Sequence, residues 1–308
     1  MSRSRLFRTA ARIAVAGVAA VTVAACGTTD DAAPADGGGT RTVSHAMGTT
    51  EIAGPPERVV VLDSGELDSV LALGVTPVGA VAADGSGRLQ SYLADRTRDV
   101  AVVGTIGEPN LEQIAALRPD LILSNKVRHE ALYGALSQIA PTVFAERVGV
   151  AWKDNLRLAG EALGRPQEAA RVLAEYEDAA RAAGARYGDP AQVEVSMVRF
   201  VGGTVRLYGA GSFIGTVLAD AGFARPAAQQ ADTTFVEVSQ EQIGQADADR
   251  LFYGAYGEQG GAAQAAVTGG PLWQSVPAVA EGRARAVSDD LWYLGIGPIA
   301  ANLVLQEL

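Results

Sequence analysis

The 308-residue chain has one cysteine, two histidines and only 6% aromatic residues. A single thiol, Cys26, excludes an intramolecular disulfide, so stability has to come from an ordinary core. Two imidazoles, His45 and His129, cannot build a transition-metal site of several histidines, and a cysteine-based site is equally out of reach. No resident metal or cofactor is therefore expected. A G-x-S-x-G nucleophile elbow is absent, which weakens a Ser-His-Asp hydrolase reading. Gly209 to Gly215 follows a strand and opens a helix, but the spacing is not G-x-G-x-x-G. A tight turn is expected there, not a dinucleotide loop. The apolar run from Ile13 to Ala25 is about 13 residues, short of the roughly 20 that a spanning helix needs.

That run has a different meaning. Arg3, Arg5, Arg8 and Arg12 precede it and small residues close it, the layout of an export signal. The stretch Val23-Ala24-Ala25-Cys26 resembles the lipobox of bacterial lipoproteins, in which the cysteine becomes the lipid-modified N-terminus. The resemblance implies a signal peptide at 1–25, a lipid anchor on Cys26 and an exported protein on the outer face of the cytoplasmic membrane. Loss of the four signal-peptide arginines takes the formal net charge from −10 to −14. So acidic a protein is a poor nucleic-acid binder, and the lipid would be its main membrane tether. Residues 26–42 are small, polar and glycine-rich, and read as a flexible stalk.

From Val59 onward, short apolar runs alternate with helical patterns. Val59–Leu62, Val78–Ala82, Val100–Val103, Leu121–Leu123 and Thr142–Phe144 read as strands, with helices between several of them. Such alternation argues for a parallel α/β sheet. A second unit of the same kind begins near Gln192, with strands at 193–198, 205–208, 251–253 and 284–287. Between the units lies a helical stretch, Trp152–Leu163 ended by Gly164, then a helix from Pro166 to about Ala183 with a Val172, Tyr176, Ala180 stripe and a Glu177–Arg181 pair. A helix of about 18 residues spans roughly 27 Å, enough to join two lobes stiffly. The fold class is thus α/β, with two Rossmann-like lobes at 43–150 and 189–308 and a helical connector at 151–188.

A short internal repeat links the halves. Asn110-Leu-Glu112-Gln113-Ile114 matches Ser239-Gln-Glu241-Gln242-Ile243, and an Asp (Asp120, Asp249) follows eight residues after each Glu. Asn110 and Ser239 suit N-caps, with Gln113 and Gln242 at N3 of a capping box. The two glutamates then occupy matching first turns. Helix-dipole stabilisation alone accounts for such acids, yet one exposed acid per lobe is also what docking to a two-fold partner requires.

Three segments carry a family resemblance: Arg58–Gly79, Val103–Leu123 (with Gly107-Glu-Pro-Asn-Leu-Glu-Gln-Ile114), and Val195–Phe200 continuing through Arg206-Leu-Tyr208 and Ser212-Phe213. Residues 43–308 resemble the iron-siderophore substrate-binding proteins of ABC importers, within the wider group that binds siderophores, haem and vitamin B12. The resemblance implies a monomeric receptor, not an enzyme. Its cargo would be a ferric siderophore held in the cleft between lobes, with the iron coordinated by the siderophore and no protein cofactor. It also implies that Glu112 and Glu241 meet arginines of an ABC permease dimer. An arginine fork can donate to siderophore oxygens without stripping the metal. Arg199 sits where the family commonly places such an arginine, although a strand-end arginine paired to an acid is the plain alternative. Tyr208, Trp292 and Tyr293 are aromatic candidates, Trp152 could equally be core, and Arg88 and Tyr92 lie in a loop-to-helix stretch. The acidic chain suits a neutral or cationic complex, such as a ferrioxamine-like hydroxamate. Cobalamin or haem as cargo, and an exported α/β hydrolase, are the competing readings.

Overall fold

The computed structural model describes residues 39–308; Cys26, residues 1–25 and most of the expected stalk lie outside the described residues. The first element is a hairpin of β1 (Thr40–His45) and β2 (Gly48–Ala53), paired antiparallel from Thr40↔Ala53 to His45↔Gly48. This corrects the stalk boundary, since folded structure begins before residue 43. Arg41 is the reason. Its guanidinium donates to the carbonyls of Glu161 and Ala162 at the C-terminus of the helix Trp152–Leu163, and to Gly54. A cation there satisfies orphan carbonyls and complements the helix dipole.

The first sheet contains β3 (Val59–Val61), β4 (Gly79–Ala82), β5 (Ala101–Thr105), β6 (Leu121–Asn125) and β7 (Thr142–Ala145). Its order is β5-β4-β3-β6-β7 and every pairing is parallel. Val59, Val60 and Val61 are wholly buried, as strands covered by helices on both faces must be, which is why they read as unbroken apolar runs. The strand order reverses between β3 and β6. In doubly wound sheets the crevice beyond the strand ends at such a reversal is where ligands bind.

The second sheet contains β8 (Val195–Val201), β9 (Thr204–Tyr208), β10 (Phe235–Val238), β11 (Arg250–Tyr256) and β12 (Ala284–Ala286), in the order β10-β9-β8-β11-β12. The pairs β8–β11 and β11–β12 are parallel, but β8–β9 and β9–β10 are antiparallel. This lobe is therefore mixed where a parallel sheet was expected. Only Gly202 and Gly203 separate β8 from β9, too few residues for a crossover, so the strands close as a hairpin, with Gly202 at φ +55°.

The connector helix runs Pro166–Ala185, with proline in its first turn. It buries Ala169, Leu173, Tyr176, Ala180 and Ala183, the helical spacing of one apolar face. Arg181 pairs with Asp178, not with Glu177 as the spacing suggested. One hydrophobic cluster runs from Val59 and Leu67 through the connector to Met197, Val217 and Val304, so both lobes share a core. The C-terminal helix Pro298–Glu307 also crosses between lobes. Its Ile299 and Ala300 amides donate to the buried carboxylate of Asp68, in the helix Ser64–Ala72 of the first lobe, at 2.8 and 3.0 Å.

The internal repeat is structural at its aspartates. Asp120 accepts from the Glu57 and Arg58 amides ahead of β3, and Asp249 accepts from the Glu194 amide ahead of β8. Asn110 accepts from the Gln113 amide, while Gln242 accepts from the Ser239 amide. The two glutamate-bearing segments differ, being an α-helix at Leu111–Ala116 and a 3-10 helix at Gln240–Ala246. Among the described residues no helix is long and apolar enough to cross a membrane.

Candidate functional site

The switch point of the first sheet carries a charged cluster. The loop after β3 supplies Asp63, which caps the next helix by accepting from the Ser64 amide at 2.7 Å. Its other oxygen accepts from Asn125 Nδ2 at 3.1 Å, at the end of β6, and from Arg128 Nε at 3.0 Å, just beyond it. The Asp63 side chain is 1% exposed and that of Arg128 is 41% exposed, so the guanidinium reaches out of a buried anchor. Beneath them lies Glu66, whose pKa is raised to about 8, by burial first and by the Asp63 charge second. Both causes favour its neutral form.

The facing lobe presents Arg199 from β8. Its Nε and Nη2 donate to the two carboxylate oxygens of Asp289, each at 2.6 Å, and Nη1 donates to the Tyr208 hydroxyl at 2.9 Å. Its guanidinium carbon lies 5.0 Å from the Tyr256 ring centre, 5.2 Å from Tyr293 and 6.0 Å from Tyr208. Burial alone would lower the Arg199 pKa; the Asp289 hydrogen bonds and charge, with Tyr208, outweigh it and raise it. The cation is therefore fixed in charge and in direction.

Two cavities open between these walls. The inner, about 530 Å³, is lined by Ser64, Ile106, Val127 and Arg128 from one lobe and by Arg199, Tyr208, Phe213 and Tyr293 from the other. The outer, about 690 Å³, is bordered by Asp84, Arg88, Gln90, Asp289 and Asp290. Ala83, Tyr256 and Leu294 belong to both walls, so the cavities are halves of one cleft. Volumes of this size suit a small-molecule ligand.

The sequence candidates separate on this geometry. Arg199, Tyr208 and Tyr293 meet on the inner wall, and Arg88 stands on the outer one. The Tyr293 hydroxyl donates to the Val198 carbonyl at 2.7 Å, so only its ring is free. Trp152 is a correction. It is 1% exposed, makes edge contacts with Tyr176 and Phe213, and donates to Thr216. Trp292 borders the inner cavity but is fully buried, stacked on Phe252 and hydrogen-bonded to Glu307. Tyr92 is a second correction, because its hydroxyl donates to Asp68 at 3.0 Å and it lines neither cavity. Each of these rings has spent its polar atom within the fold. Glu112 and Glu241 are both exposed in first turns. Arg128, Asp289 and Tyr256 escaped the sequence reading. Arg128 was findable, since it follows a strand that flanks the order reversal.

A hydrolytic dyad gains nothing from the one serine–histidine hydrogen bond among the described residues. Ser124 Oγ lies 2.7 Å from His129 Nδ1, but Ser124 is 1% exposed and His129 Nε2 donates to the Ile106 carbonyl. Substrate cannot reach that hydroxyl. Among the described residues, no group of three or more His, Cys, Asp or Glu side chains could hold a metal ion.

Two lobes joined by a stiff helix around a polar cleft are the architecture of an extracytoplasmic solute receptor. A family description, periplasmic binding protein, matches residues 59–291, and the chain belongs to that family. It is 40% identical over 281 residues, 87% of this chain and 86% of the relative, to the protein named "Probable siderophore-binding lipoprotein YfiY" of Bacillus subtilis (strain 168). It is 31% identical over 255 residues, 82% of this chain and 79% of the relative, to the Fe(3+)-citrate-binding protein YfmC of the same organism. The crystal structure of Staphylococcus aureus SirA complexed with staphyloferrin B superposes with a TM-score of 0.79 at 34% identity, covering 87% of this chain and 97% of that one.

Proposed function

We propose that this protein is the lipid-anchored receptor of an ABC importer, that it captures a ferric siderophore in the cleft between its lobes, and that it makes or breaks no bond. The observation that carries the reading is the pair of guanidiniums, Arg128 and Arg199, facing one cavity from opposite lobes, each held by a buried or half-buried carboxylate. Such forks donate to oxygens of an intact chelate while the siderophore keeps its iron. The lobes belong to two-step delivery, with Glu112 and Glu241 meeting the permease dimer and Cys26 holding the lipid.

A hydroxamate complex is the finer reading. Over both cavities the lining charges balance, with Arg88, Arg128 and Arg199 against Asp84, Asp289 and Asp290. A balanced cleft favours a complex of low net charge over a highly anionic one. A carboxylate-bearing chelate is a second reading, favoured by the inner cavity, whose charged lining is arginine alone. The relatives named for Fe(3+)-citrate and staphyloferrin B are consistent with it. The test is an equilibrium titration of the purified protein with ferrioxamine B, ferric citrate, ferric enterobactin, haem and cobalamin, read by tryptophan quenching. Submicromolar binding of ferrioxamine B supports the hydroxamate reading, and binding of ferric citrate alone supports the second. Binding of haem or cobalamin alone overturns the siderophore assignment.

A further inference from the structure

The outer cavity is the larger half of the cleft, about 690 Å³, and the arginine pair leaves it largely unused. Its charged lining is three carboxylates, Asp84, Asp289 and Asp290, against the single exposed guanidinium of Arg88. Asp289 faces this side while neutralising Arg199, and Asp290 accepts from the Ser91 amide and hydroxyl at 2.6 Å each. Asp84 accepts from the Ser86 amide at 2.9 Å, which fixes its loop. Gln90 stands among them. It lines the cavity, is 2% exposed, and neither its amide nitrogen nor its amide oxygen has a hydrogen-bond partner among the described residues. Buried amides are nearly always satisfied, because an unmet donor and an unmet acceptor both carry their full desolvation penalty. A ligand entering this cavity can supply an N–H to Gln90 Oε1 and an oxygen to Gln90 Nε2, in a wall of excess negative charge. Arg199 sets the opposite polarity one wall away, so the cleft is cationic at its inner end and anionic at its outer end.

We propose that the outer cavity is a subsite for an arm of the ferric chelate that ends in a protonated amine and carries an amide or hydroxamate carbonyl further along it. The ammonium sits among Asp84, Asp289 and Asp290, the carbonyl accepts from Gln90 Nε2, and the iron-bearing oxygens lie toward Arg199 and Arg128. This deepens the receptor reading above and rests on it.

The experiment compares ferrioxamine B, which has a free terminal amine, with its N-acetylated form, which keeps the iron cage and loses the charge. The protein should bind the ammonium form at least about tenfold more tightly, equivalent to 1.4 kcal/mol. Asp84→Asn, which keeps the oxygen that accepts from Ser86, should shrink that ratio because it removes charge that only the ammonium form meets, whereas Gln90→Leu should weaken both forms, since both keep the carbonyl that accepts from Gln90 Nε2. Gln90→Leu should also raise the melting temperature of the unliganded protein, since it removes the unmet amide. If Gln90→Leu does not fold, Asp84→Asn decides alone. Equal affinity for both forms, an unchanged ratio in Asp84→Asn, or full affinity for both forms in a folded Gln90→Leu overturns the subsite. Binding of ferric citrate with neither ferrioxamine form bound also overturns it while leaving the receptor reading intact; no binding of any ferric chelate removes both.

Discussion

Cutting the Arg199–Asp289 pair separates its structural role from its role toward ligand. The two side chains are 9% and 12% exposed, and both hydrogen bonds are charge-assisted. Removing one partner of such a pair strands a buried charge and costs about 3–5 kcal/mol, whereas replacing both with apolar residues of similar volume is often close to neutral. Arg199→Ala also leaves Asp289 without its partner and Tyr208 without its donor. For a chain of this size each kcal/mol moves the melting temperature by roughly 2–4 °C, so either single change should lower it on the order of 10 °C. The double change Arg199→Met with Asp289→Leu should recover most of that loss, giving a coupling energy of about 2–4 kcal/mol in a double-mutant cycle by urea unfolding. The same double variant should bind the ferric chelate at least about tenfold more weakly, about 1.4 kcal/mol. Additive single effects would refute the claim that the pair acts as a buried unit. Full affinity in a folded double variant would remove Arg199 from the binding site.

Three further outcomes follow from separate regions. Glu112→Ala and Glu241→Ala, on exposed turns, should leave chelate affinity unchanged and reduce iron uptake in cells; lost affinity with intact uptake contradicts the docking role. Glu66 is raised from 4.5 to about 8, so the stability that its neutral form contributes is complete below about pH 4.5 and is lost as pH rises through about 8. Glu66→Gln should flatten that decline in pH-dependent urea unfolding, and an unchanged slope would show that Glu66 is not the titrating group. Gly184→Ala aims a Cβ directly at the Ala221 carbonyl, where the connector meets the helix Phe213–Asp220, and should destabilise the protein by about 1–3 kcal/mol; a neutral result would mean that the helices separate freely there.

The elements that sequence reveals well here are those whose cause is local. Asp63 starts a helix because its own carboxylate meets the next amide, and Gly164 ends one because a left-handed residue, φ +71°, is needed. Pro166 opens the connector for the same kind of reason. The failures have non-local causes. The hairpin β1–β2 is held by Arg41 on carbonyls about 120 positions away, so nothing within residues 26–42 announces where the stalk ends. Trp292 and Tyr293 are adjacent and look alike in sequence. The fold turns one indole onto Phe252 and Glu307 and leaves the other ring beside Arg199. Adjacent side chains point in different directions, and which of them meets the cleft depends on a strand and a helix far away in the chain. Asp289 was missed for that reason too, since it acquires its role only through a partner about 90 positions away.

The same long-range contacts bear on how the cleft works. A receptor that closes by swinging its lobes apart and together needs a hinge that bends at little cost. Here the lobes share a hydrophobic cluster through the connector, and two buried or half-buried carboxylates cross between them. Asp68 reaches from the first lobe to the amides of the C-terminal helix, and Asp290 reaches from the second lobe to Ser91. A Cβ at Gly297 would collide with Asp68, so the approach is too close for slack. Any wide rotation has to break these contacts and expose shared core together. Ligand capture by small adjustments of Arg128, Val127 and the loops around the cleft is cheaper. Under the docking role proposed above, Glu112 and Glu241 would meet the permease at a spacing that changes little between empty and loaded states. Discrimination between those states falls to the cleft rim itself.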